Sequence, residues 1–219
     1  MLEMCEKSYA KVNIFLKIAD KRDNYHELVS RFVRVHNLYD IVFFVKTSRK
    51  AFDIIGDFGC KMESNTVYKA YKLIEHFDKV KEFFENHSVK IEKNIPEFAG
   101  LGGGSSNAAT FLIMANKYCN LNLSKDELSK IAIKIGADVP FFVYEYNSAN
   151  VTGIGEIVEK FDEEMLNIDT ITPNIKCNTG EIFKVFRENF YKQISKNEAD
   201  KLFKMKSIEI LNNLNINEA

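Results

Sequence analysis

The sequence lacks the features that would place it among zinc, membrane or secreted proteins. Its four cysteines form no CxxC pair, and their separations fit no zinc site. The longest apolar runs, Ile41–Val45 and Val139–Tyr144, are far too short to cross a membrane. No apolar run follows the charged N-terminal residues, so no secretory signal is predicted. We therefore expect a cytoplasmic protein whose cysteines are free thiols.

Neither sign of charge dominates, since 30 Lys and Arg residues stand against 31 Asp and Glu. Nucleic-acid binding usually needs a long-range positive field. The lysine-rich stretch Lys79–Glu85 alternates bases with acids, as on a solvated helix face. The composition therefore predicts neither a nucleic-acid nor a membrane partner. A chain of 219 residues with 46% apolar residues suits one large globular domain or two small ones.

Alternation of apolar and polar residues predicts that the chain begins as a β-sheet. Residues 8–18 alternate with a period of two, as in a strand with one buried face. Lys11 and Asn13 therefore share one face of that strand. Runs rich in Val, Ile and Phe predict three further strands with short connections. These runs are Leu28–Val35, Ile41–Lys46 and Ala51–Ile55.

Helix signals appear after these strands. Asn65 can cap one helix, and Ser124 with Glu127 forms a capping box for another, which Gly136 would end. Between them, apolar residues recur at helical spacing after a glycine-rich run. Three later runs predict strands, at Val139–Tyr144, Ala149–Phe161 and Asp169–Ile175.

Strands followed by a mixture of strands and helices indicate an α+β fold rather than a doubly wound sheet. We place a domain boundary near Asn147–Asn150, which separates residues 1–148 from residues 149–219. The segment after Asp200 carries enough apolar residues for one or two amphipathic helices. Few predicted strands remain after Thr152 to cover such helices, so we expect the second domain to be incomplete.

The strongest functional signal is the run Gly100-Leu101-Gly102-Gly103-Gly104-Ser105-Ser106 at the start of a predicted helix. Its glycines allow positive φ and let the backbone approach an anion closely. The free N–H groups of the next helical turn point to the same place and favour phosphate. A flexible linker is the alternative reading. The run matches neither a Walker loop, which needs a Lys after the glycines, nor the GxGxxG fingerprint.

Several isolated residues are weaker candidates. Asp138, in a turn between apolar segments, can act as a base for a substrate hydroxyl, although such residues are more often caps. Lys11 can orient a phosphate if it faces the anion site, although a strand lysine is usually solvated. Tyr25 and His26 can stack on a base and bond to its edge, or serve structure alone. Phe183 by itself indicates a core residue.

Taken together, these segments resemble the GHMP kinase superfamily. Four segments carry the resemblance in family order: Ala10–Leu16, Asn24–Leu28, Gly100–Ala109 and Gly136–Phe142. Weaker support comes from Thr152–Glu156 and Thr179–Lys184. The resemblance implies the two-domain fold of that superfamily, with residues 1–148 as the ATP-binding and catalytic domain and residues 149–219 as the C-terminal domain.

The resemblance also implies an activity. It implies a kinase that uses ATP with Mg²⁺ to phosphorylate a hydroxyl group of a cytidine-diphosphate sugar alcohol, a step of the non-mevalonate route to isoprenoids. Asp138 would be the base, Lys11 its charged neighbour, and Asn13 a residue that places the substrate. The nucleotide-base contacts implied are Tyr25, His26 and Phe183 for cytosine and Asn65 for adenine. The implied phosphate contacts are Gly100, Gly102, Gly103, Gly104, Ser105, Ser106 and Asn107.

This sequence departs from the family pattern at two places. Glu97 and Phe98 stand where the glycine loop usually opens with small residues, and a further glycine-rich segment is absent from residues 186–219. Two other functions stay open at this level: a GHMP kinase for homoserine or a mevalonate derivative, and a ligand-binding relative without catalysis. Tyr25 and His26 argue against the first, and the presence of both Lys11 and Asp138 argues against the second. The oligomeric state is left open.

Overall fold

A computed structural model describes residues 4–22, 25–173, 185 and 194–213 of the chain. The described strands are β1 (Met4–Arg22), β2 (Tyr25–Lys46), β3 (Ile54–Ile55), β4 (His87–Glu92), β5 (Ser148–Gly153) and β6 (Ile157–Lys160). The described helices are α1 (Thr66–Ile74), α2 (Asp78–Phe84), α3 (Gly103–Tyr118), α4 (Lys125–Ala132), α5 (Val139–Tyr144), α6 (Lys196–Lys204) and α7 (Ser207–Asn213). The predicted α+β class is confirmed.

The described strands form one sheet built around β2. Its order is β3-β4-β2-β5-β6, and β1 pairs with β2 as well. β3 and β4 are parallel, and the other pairs are antiparallel. The two strands predicted at 28–35 and 41–46 are therefore one strand, because β1 pairs with both halves. The pairing register between β1 and β2 shifts where Tyr9 opposes Tyr39 and the next residue, Ala10, opposes Val35.

The main core lies between this sheet and helices α1 to α5. Phe44 of β2 is at its centre, with ring centroids of Phe84 and Phe111 at 5.2 and 5.9 Å. Ala108, Ala109 and Leu112 of α3 are fully buried in the same cluster. The small residues of α3 let this helix lie close to the sheet, which fixes the position of its N-terminus.

The C-terminal helices α6 and α7 pack against a different part of the sheet. Ala199 and Ile210 join a cluster with Ile14 and Phe15 of β1. The fully buried Arg31 of β2 connects the two parts. Its guanidinium group donates to Asn150 Oδ1 at 2.6 Å and to the carbonyl oxygens of Leu202, Phe203 and Met205 at the end of α6.

Several predicted elements are confirmed and others are wrong. Asn65 Oδ1 accepts from the Val67 N–H at 2.9 Å and caps α1, and Ser124 with Glu127 forms the predicted capping box of α4. The run Val139–Tyr144 is a helix rather than a strand. Periodicity does not separate a short buried helix from a short buried strand, and Pro140 fits the first helical turn, where no N–H is needed.

The remaining errors concern boundaries. Of the strand predicted at 51–55, only Ile54–Ile55 is extended and paired. Helix α4 ends at Ala132, before Gly136. The described part of the run from Asp169, as far as residue 173, has no strand. A strand forms only where a neighbouring strand supplies hydrogen bonds, and local residue preference does not provide one.

The proposed domain boundary stays a prediction, although β5 begins at Ser148 and pairs with β2 of the N-terminal part. Among the described helices, none combines the length and apolar character that a membrane crossing needs. The cytoplasmic location also stays a prediction.

Candidate active site

The glycine loop ends at the N-terminus of α3, as the sequence predicts. Gly102 is the residue before the helix and has a left-handed φ of 71°, and Gly100 has a φ of 74°. A Cβ atom at Gly102 would lie 3.0 Å from Phe142 Cζ and 3.1 Å from Lys11 Cγ. Glycine is therefore needed at this position for both conformation and space. The first backbone N–H groups of α3 lack intrahelical acceptors and are available to an anion.

Lys11 lies directly beside this loop. Its backbone N–H donates to the Leu101 carbonyl oxygen at 2.9 Å, so β1 holds the loop in place. Its side chain is buried, with Nζ 2.6 Å from Asn13 Oδ1 and 3.2 Å from Asp138 Oδ2. Nζ also lies 4.6 Å from the centroid of the Phe32 ring. Lys11 is therefore not the solvated lysine that is usual on a strand.

Asp138 is the residue before α5, at a position where an Asp side chain often caps the helix. It makes no capping hydrogen bond, and its carboxylate instead pairs with Lys11. About a third of the Asp138 side chain is exposed, against 6% for Lys11. The carboxylate therefore has one buried cationic partner and one open side that a ligand can reach.

Asn13 completes this group from the same face of β1. Its Nδ2 donates to Ser30 Oγ at 3.0 Å, and Ser30 Oγ donates to the Phe15 carbonyl oxygen at 2.5 Å. This chain of hydrogen bonds directs Asn13 Oδ1 toward Lys11. The predicted proximity of Lys11, Asn13 and Asp138 is thus present, held by β1, β2 and the start of α5.

A buried polar cluster that the sequence analysis missed lies beneath the loop. Asp40 is fully buried, and its Oδ1 accepts from the backbone N–H groups of Asn94 and Ile95 at 2.7 and 2.8 Å. Its Oδ2 accepts from Lys93 Nζ and, at 2.9 Å, from Asn107 Nδ2. Asp40 therefore fixes the segment that leads into the glycine loop.

The same cluster accounts for the side chains of Ser106 and Asn107. Ser8 Oγ donates to Ser106 Oγ at 2.8 Å and accepts from Asn107 Nδ2 at 2.9 Å. Lys93 Nζ donates to Asn107 Oδ1 at 3.1 Å. Both side chains are buried and hold α3 against β1. A phosphate contact by these two residues stays a prediction, since both side chains are taken up by this cluster and the Ser106 N–H donates to the Gly102 carbonyl oxygen at 2.8 Å.

Two further segments border the loop. Thr66 Oγ1, next to Asn65, donates to the Gly104 carbonyl oxygen at 2.6 Å and joins α1 to the loop. Glu97 Oε2 accepts from the Gly59 N–H at 2.9 Å, and Phe98 is exposed with a left-handed φ of 57°. The bulky entry to the loop is thus accommodated at the surface.

Gly155, in the segment Thr152–Glu156 that gives weaker support to the resemblance, has a close backbone contact that the sequence analysis missed. Its φ is 116°, and a Cβ atom there would overlap the carbonyl group of Ala137, with the carbonyl carbon 2.8 Å away. The turn between β5 and β6 therefore supports the backbone next to Asp138. The predicted cytosine contacts are not placed, since Phe183 and the side chains of Tyr25 and His26 lie outside the described residues.

The geometry joins an anion-binding loop, a buried cation and a partly exposed carboxylate within a few ångströms. Comparison with known proteins agrees with this arrangement: residues 65–146 match the family model for the GHMP kinases N terminal domain. The fold and this match place the chain among the GHMP kinases, and the named relatives described next confirm the prediction of an ATP-dependent small-molecule kinase.

Proteins with similar sequences show which family of GHMP kinases the chain belongs to. A protein of Sulfurimonas denitrificans named 4-diphosphocytidyl-2-C-methyl-D-erythritol kinase is 51% identical over 97% of this chain and 83% of its own length. A protein of the same name from Campylobacter jejuni is 41% identical over 94% of this chain and 83% of its own. The chain belongs to the 4-diphosphocytidyl-2-C-methyl-D-erythritol kinase family.

A solved structure agrees. The crystal structure of a 4-(cytidine 5'-diphospho)-2C-methyl-D-erythritol kinase superimposes with a TM-score of 0.67 at 26% identity, covering 89% of this chain and 68% of that chain.

Proposed function

We propose that this protein transfers the γ-phosphoryl group of ATP to the 2-hydroxyl group of 4-diphosphocytidyl-2-C-methyl-D-erythritol, a step of the non-mevalonate route to isoprenoids. The observation that carries the proposal is the ion pair between Lys11 and Asp138 beside the glycine loop, with Nζ and Oδ2 3.2 Å apart. The name of the relative that is 51% identical supplies the substrate.

In the proposed reaction, the substrate hydroxyl oxygen forms a bond to the γ-phosphorus of ATP. The bond from that phosphorus to the β–γ bridging oxygen breaks, and ADP leaves. Asp138 accepts the proton of the hydroxyl group, which requires a carboxylate that a ligand can reach. Its exposed side meets this requirement.

Lys11 contributes positive charge where it is needed. Phosphoryl transfer depends mainly on alignment and on stabilising the charge of the transferring group. Lys11 Nζ is buried and held by Asn13 and Asp138, so it needs little reorganisation during the reaction. Asn13 is proposed to place the substrate through the same hydrogen-bonded chain.

The glycine loop is proposed to hold the ATP phosphates through backbone N–H groups of Gly102, Gly103, Gly104 and Ser105. The partly exposed Ser105 hydroxyl group lies within this first turn. Asn65 is proposed to lie near the adenine, since Thr66 beside it bonds to Gly104. The cytosine contacts proposed on family grounds are Tyr25, His26 and Phe183.

Mg²⁺ is proposed to accompany ATP. Among the described residues no group of three His, Cys, Asp or Glu side chains is arranged to hold a metal ion. An Mg²⁺ ion that arrives with ATP does not require such a group, because in kinases it is bound mainly by the substrate phosphates with one or two protein oxygens. The Ser105 hydroxyl group, in the first turn of α3, would supply a protein oxygen. The ion would neutralise phosphate charge.

The test is direct. The protein is incubated with ATP and 4-diphosphocytidyl-2-C-methyl-D-erythritol, and ADP and the phosphorylated product are measured by mass spectrometry. A second arm uses the uridine analogue, which should react more slowly, because a site that bonds to the cytosine edge leaves buried groups unpaired with uracil. ATP turnover with homoserine or mevalonate, but not with the cytidyl substrate, would overturn the assignment.

A further inference from the structure

A cavity of about 400 Å³ opens between the N-terminal end of β1 and helices α3 and α5. This volume lies within the usual range for small-molecule sites, about 300–1,000 Å³. Its walls include the charged residues Lys7 and Arg34, the rings of Tyr9 and Phe142, and the hydroxyl-bearing residues Ser106 and Thr110. Lys11, Asp138 and the glycines of the loop do not line it.

The charges in this cavity are unequally paired. Glu6 binds Lys117, with Oε1 and Nζ 3.2 Å apart, and Glu145 binds Lys125 at 3.0 Å. Within the described ranges, neither Lys7 nor Arg34 has a carboxylate oxygen within 4.0 Å. The acids of the cavity are thus neutralised by other lysines, and two cations remain.

Arg34 is the more unusual of the two. Its Nε is buried and, within the described part of the chain, has no hydrogen-bond partner. Its guanidinium carbon lies 5.1 Å from the centroid of the Tyr9 ring, so one face of the group rests on an aromatic surface. Burial lowers the pKa of Arg34, and Glu145 only partly opposes this. A buried donor without a partner is costly, and Arg34 keeps this cost while its side chain lines the cavity.

We infer that this cavity binds a small phosphorylated organic molecule at a site separate from the ATP loop. The planar donors of arginine match the oxygens of a phosphate group, and Lys7 adds a second positive charge at the rim. Tyr9 and Phe142 provide apolar walls for the organic part of the ligand. The unbalanced charge of the two cations suits a phosphomonoester, which carries nearly two negative charges at neutral pH.

Two residues that line the cavity also contact Gly102 of the glycine loop, which holds ATP if the proposed function is right. Phe142 is the residue whose ring would meet a Cβ atom at Gly102, and the Ser106 N–H donates to the Gly102 carbonyl oxygen at 2.8 Å. An occupant of the cavity would contact both Phe142 and Ser106, which line it. Binding there is therefore expected to alter the affinity of the loop for ATP.

The experiment measures binding of glycerol 3-phosphate and of ribose 5-phosphate by isothermal titration calorimetry, without ATP. We expect at least one of them to bind at millimolar concentration. Lys7→Met and Arg34→Met should each weaken that binding by roughly tenfold or more, the size expected for losing one charge-assisted hydrogen bond. Arg49→Met removes an exposed arginine elsewhere and should leave binding unchanged.

A comparison with the ATP loop separates the two sites. Lys11→Met should weaken ATP binding or turnover and leave binding of the phosphorylated probe intact. Loss of probe binding in Lys11→Met together with its retention in Lys7→Met would place the probe at the loop and overturn the inference. If neither glycerol 3-phosphate nor ribose 5-phosphate binds, the inference is also overturned. Lys7 is exposed, so its variant should fold and keeps the test available if Arg34→Met does not fold.

Discussion

Lys11 Nζ and Asp138 Oδ2 lie 3.2 Å apart, although the two residues come from opposite ends of the N-terminal part of the chain. The pair is nearly buried on the lysine side and open on the aspartate side. Such a pair can accept a proton from a ligand while keeping a positive charge next to the phosphate loop. In the proposed function, this pair is the part of the site that a nucleotide-binding protein without catalysis would not need.

The first prediction concerns this pair. Asp138→Asn keeps the shape of the side chain but removes the proton acceptor, so kcat should fall by roughly 10²–10⁴-fold. ATP affinity should change little, because the loop is intact. Steady-state kinetics with the cytidyl substrate measure the effect. Asp162→Asn, at an exposed position, is the matched control and should behave as wild type. Wild-type turnover by Asp138→Asn would show that the proton goes elsewhere.

A second prediction compares two glycines with the same backbone conformation. Gly100 and Gly102 have φ values of 74° and 71°. An alanine at either position should cost about 1–2 kcal/mol of stability through left-handed strain. Only at Gly102 would the new Cβ meet Lys11 and Phe142, while at Gly100 nothing lies within 4 Å. Gly102→Ala should therefore lower kcat by a larger factor than Gly100→Ala. Equal kcat values in the two variants would contradict the proposed contact between loop and lysine.

The third prediction concerns Gly155, which packs against the backbone of Ala137, next to Asp138. Gly155→Ala should displace the carbonyl group of Ala137 and with it the backbone of Asp138. A misplacement of about 1 Å in an active site can lower the rate by roughly 10²-fold. Gly136→Ala is a close control, because its Cβ would make only an ordinary contact with Val139 Cγ2 at 3.7 Å. Kinetics and thermal unfolding of both variants test this, and a fully active Gly155→Ala enzyme would show that the turn has no such role.

The fourth prediction concerns the attachment of the C-terminal helices. Arg31 is fully buried and bonds to the end of α6, and burial lowers its pKa to about 10, so it stays protonated at neutral pH. Arg31→Met leaves buried acceptors and Glu163 without this partner and should cost about 3–5 kcal/mol. Arg49→Met, at an exposed ion pair, should cost less than about 1 kcal/mol. Urea unfolding at neutral pH measures both, and similar losses would mean that Arg31 is not the anchor.

The fifth prediction is a pH dependence. Burial raises the pKa of the Cys119 thiol from 9.0 to about 11. Between these values the unfolded chain loses the proton while the folded chain keeps it, so this thiol makes the free energy of unfolding fall as pH rises, by at most about 1.4 kcal/mol per pH unit. Below pH 9 the contribution is complete. Cys119→Ala should remove this part of the slope, and Cys60→Ala, at an exposed site, should not. Identical slopes in wild type and Cys119→Ala would contradict the prediction.

Local sequence signals predicted the parts of the site that depend on short-range chemistry. The period-two pattern placed Lys11 and Asn13 on one face of β1, and the glycine run placed a loop directly before α3. Asn65 and the Ser124–Glu127 pair predicted their helix caps, because a cap involves only neighbours in the chain. Each of these inferences needed a stretch of at most eleven consecutive residues.

Contacts between distant residues could not be predicted in the same way. Asp40 binds Asn107, which lies 67 positions away, and no periodicity marks an aspartate that will be buried. The apolar run at 139–144 is a helix although its composition predicts a strand. Its burial on all sides comes from packing against α3 and α4, which a local pattern does not show. No local pattern marks the close approach of Gly155 to Ala137, which lies 18 positions away.

The sequence by itself therefore determined the class of the protein, the glycine loop and the identity of the two charged residues beside it. Those features depend on residue type and on order along the chain. Only the tertiary structure decided that Asp138 leaves its helix uncapped and pairs with Lys11. It also decided that Ser106 and Asn107 turn their side chains into a buried cluster, and that Arg34 faces a cavity. These features depend on which surfaces pack together, because burial and distance, rather than residue type, determine what a polar side chain can bind.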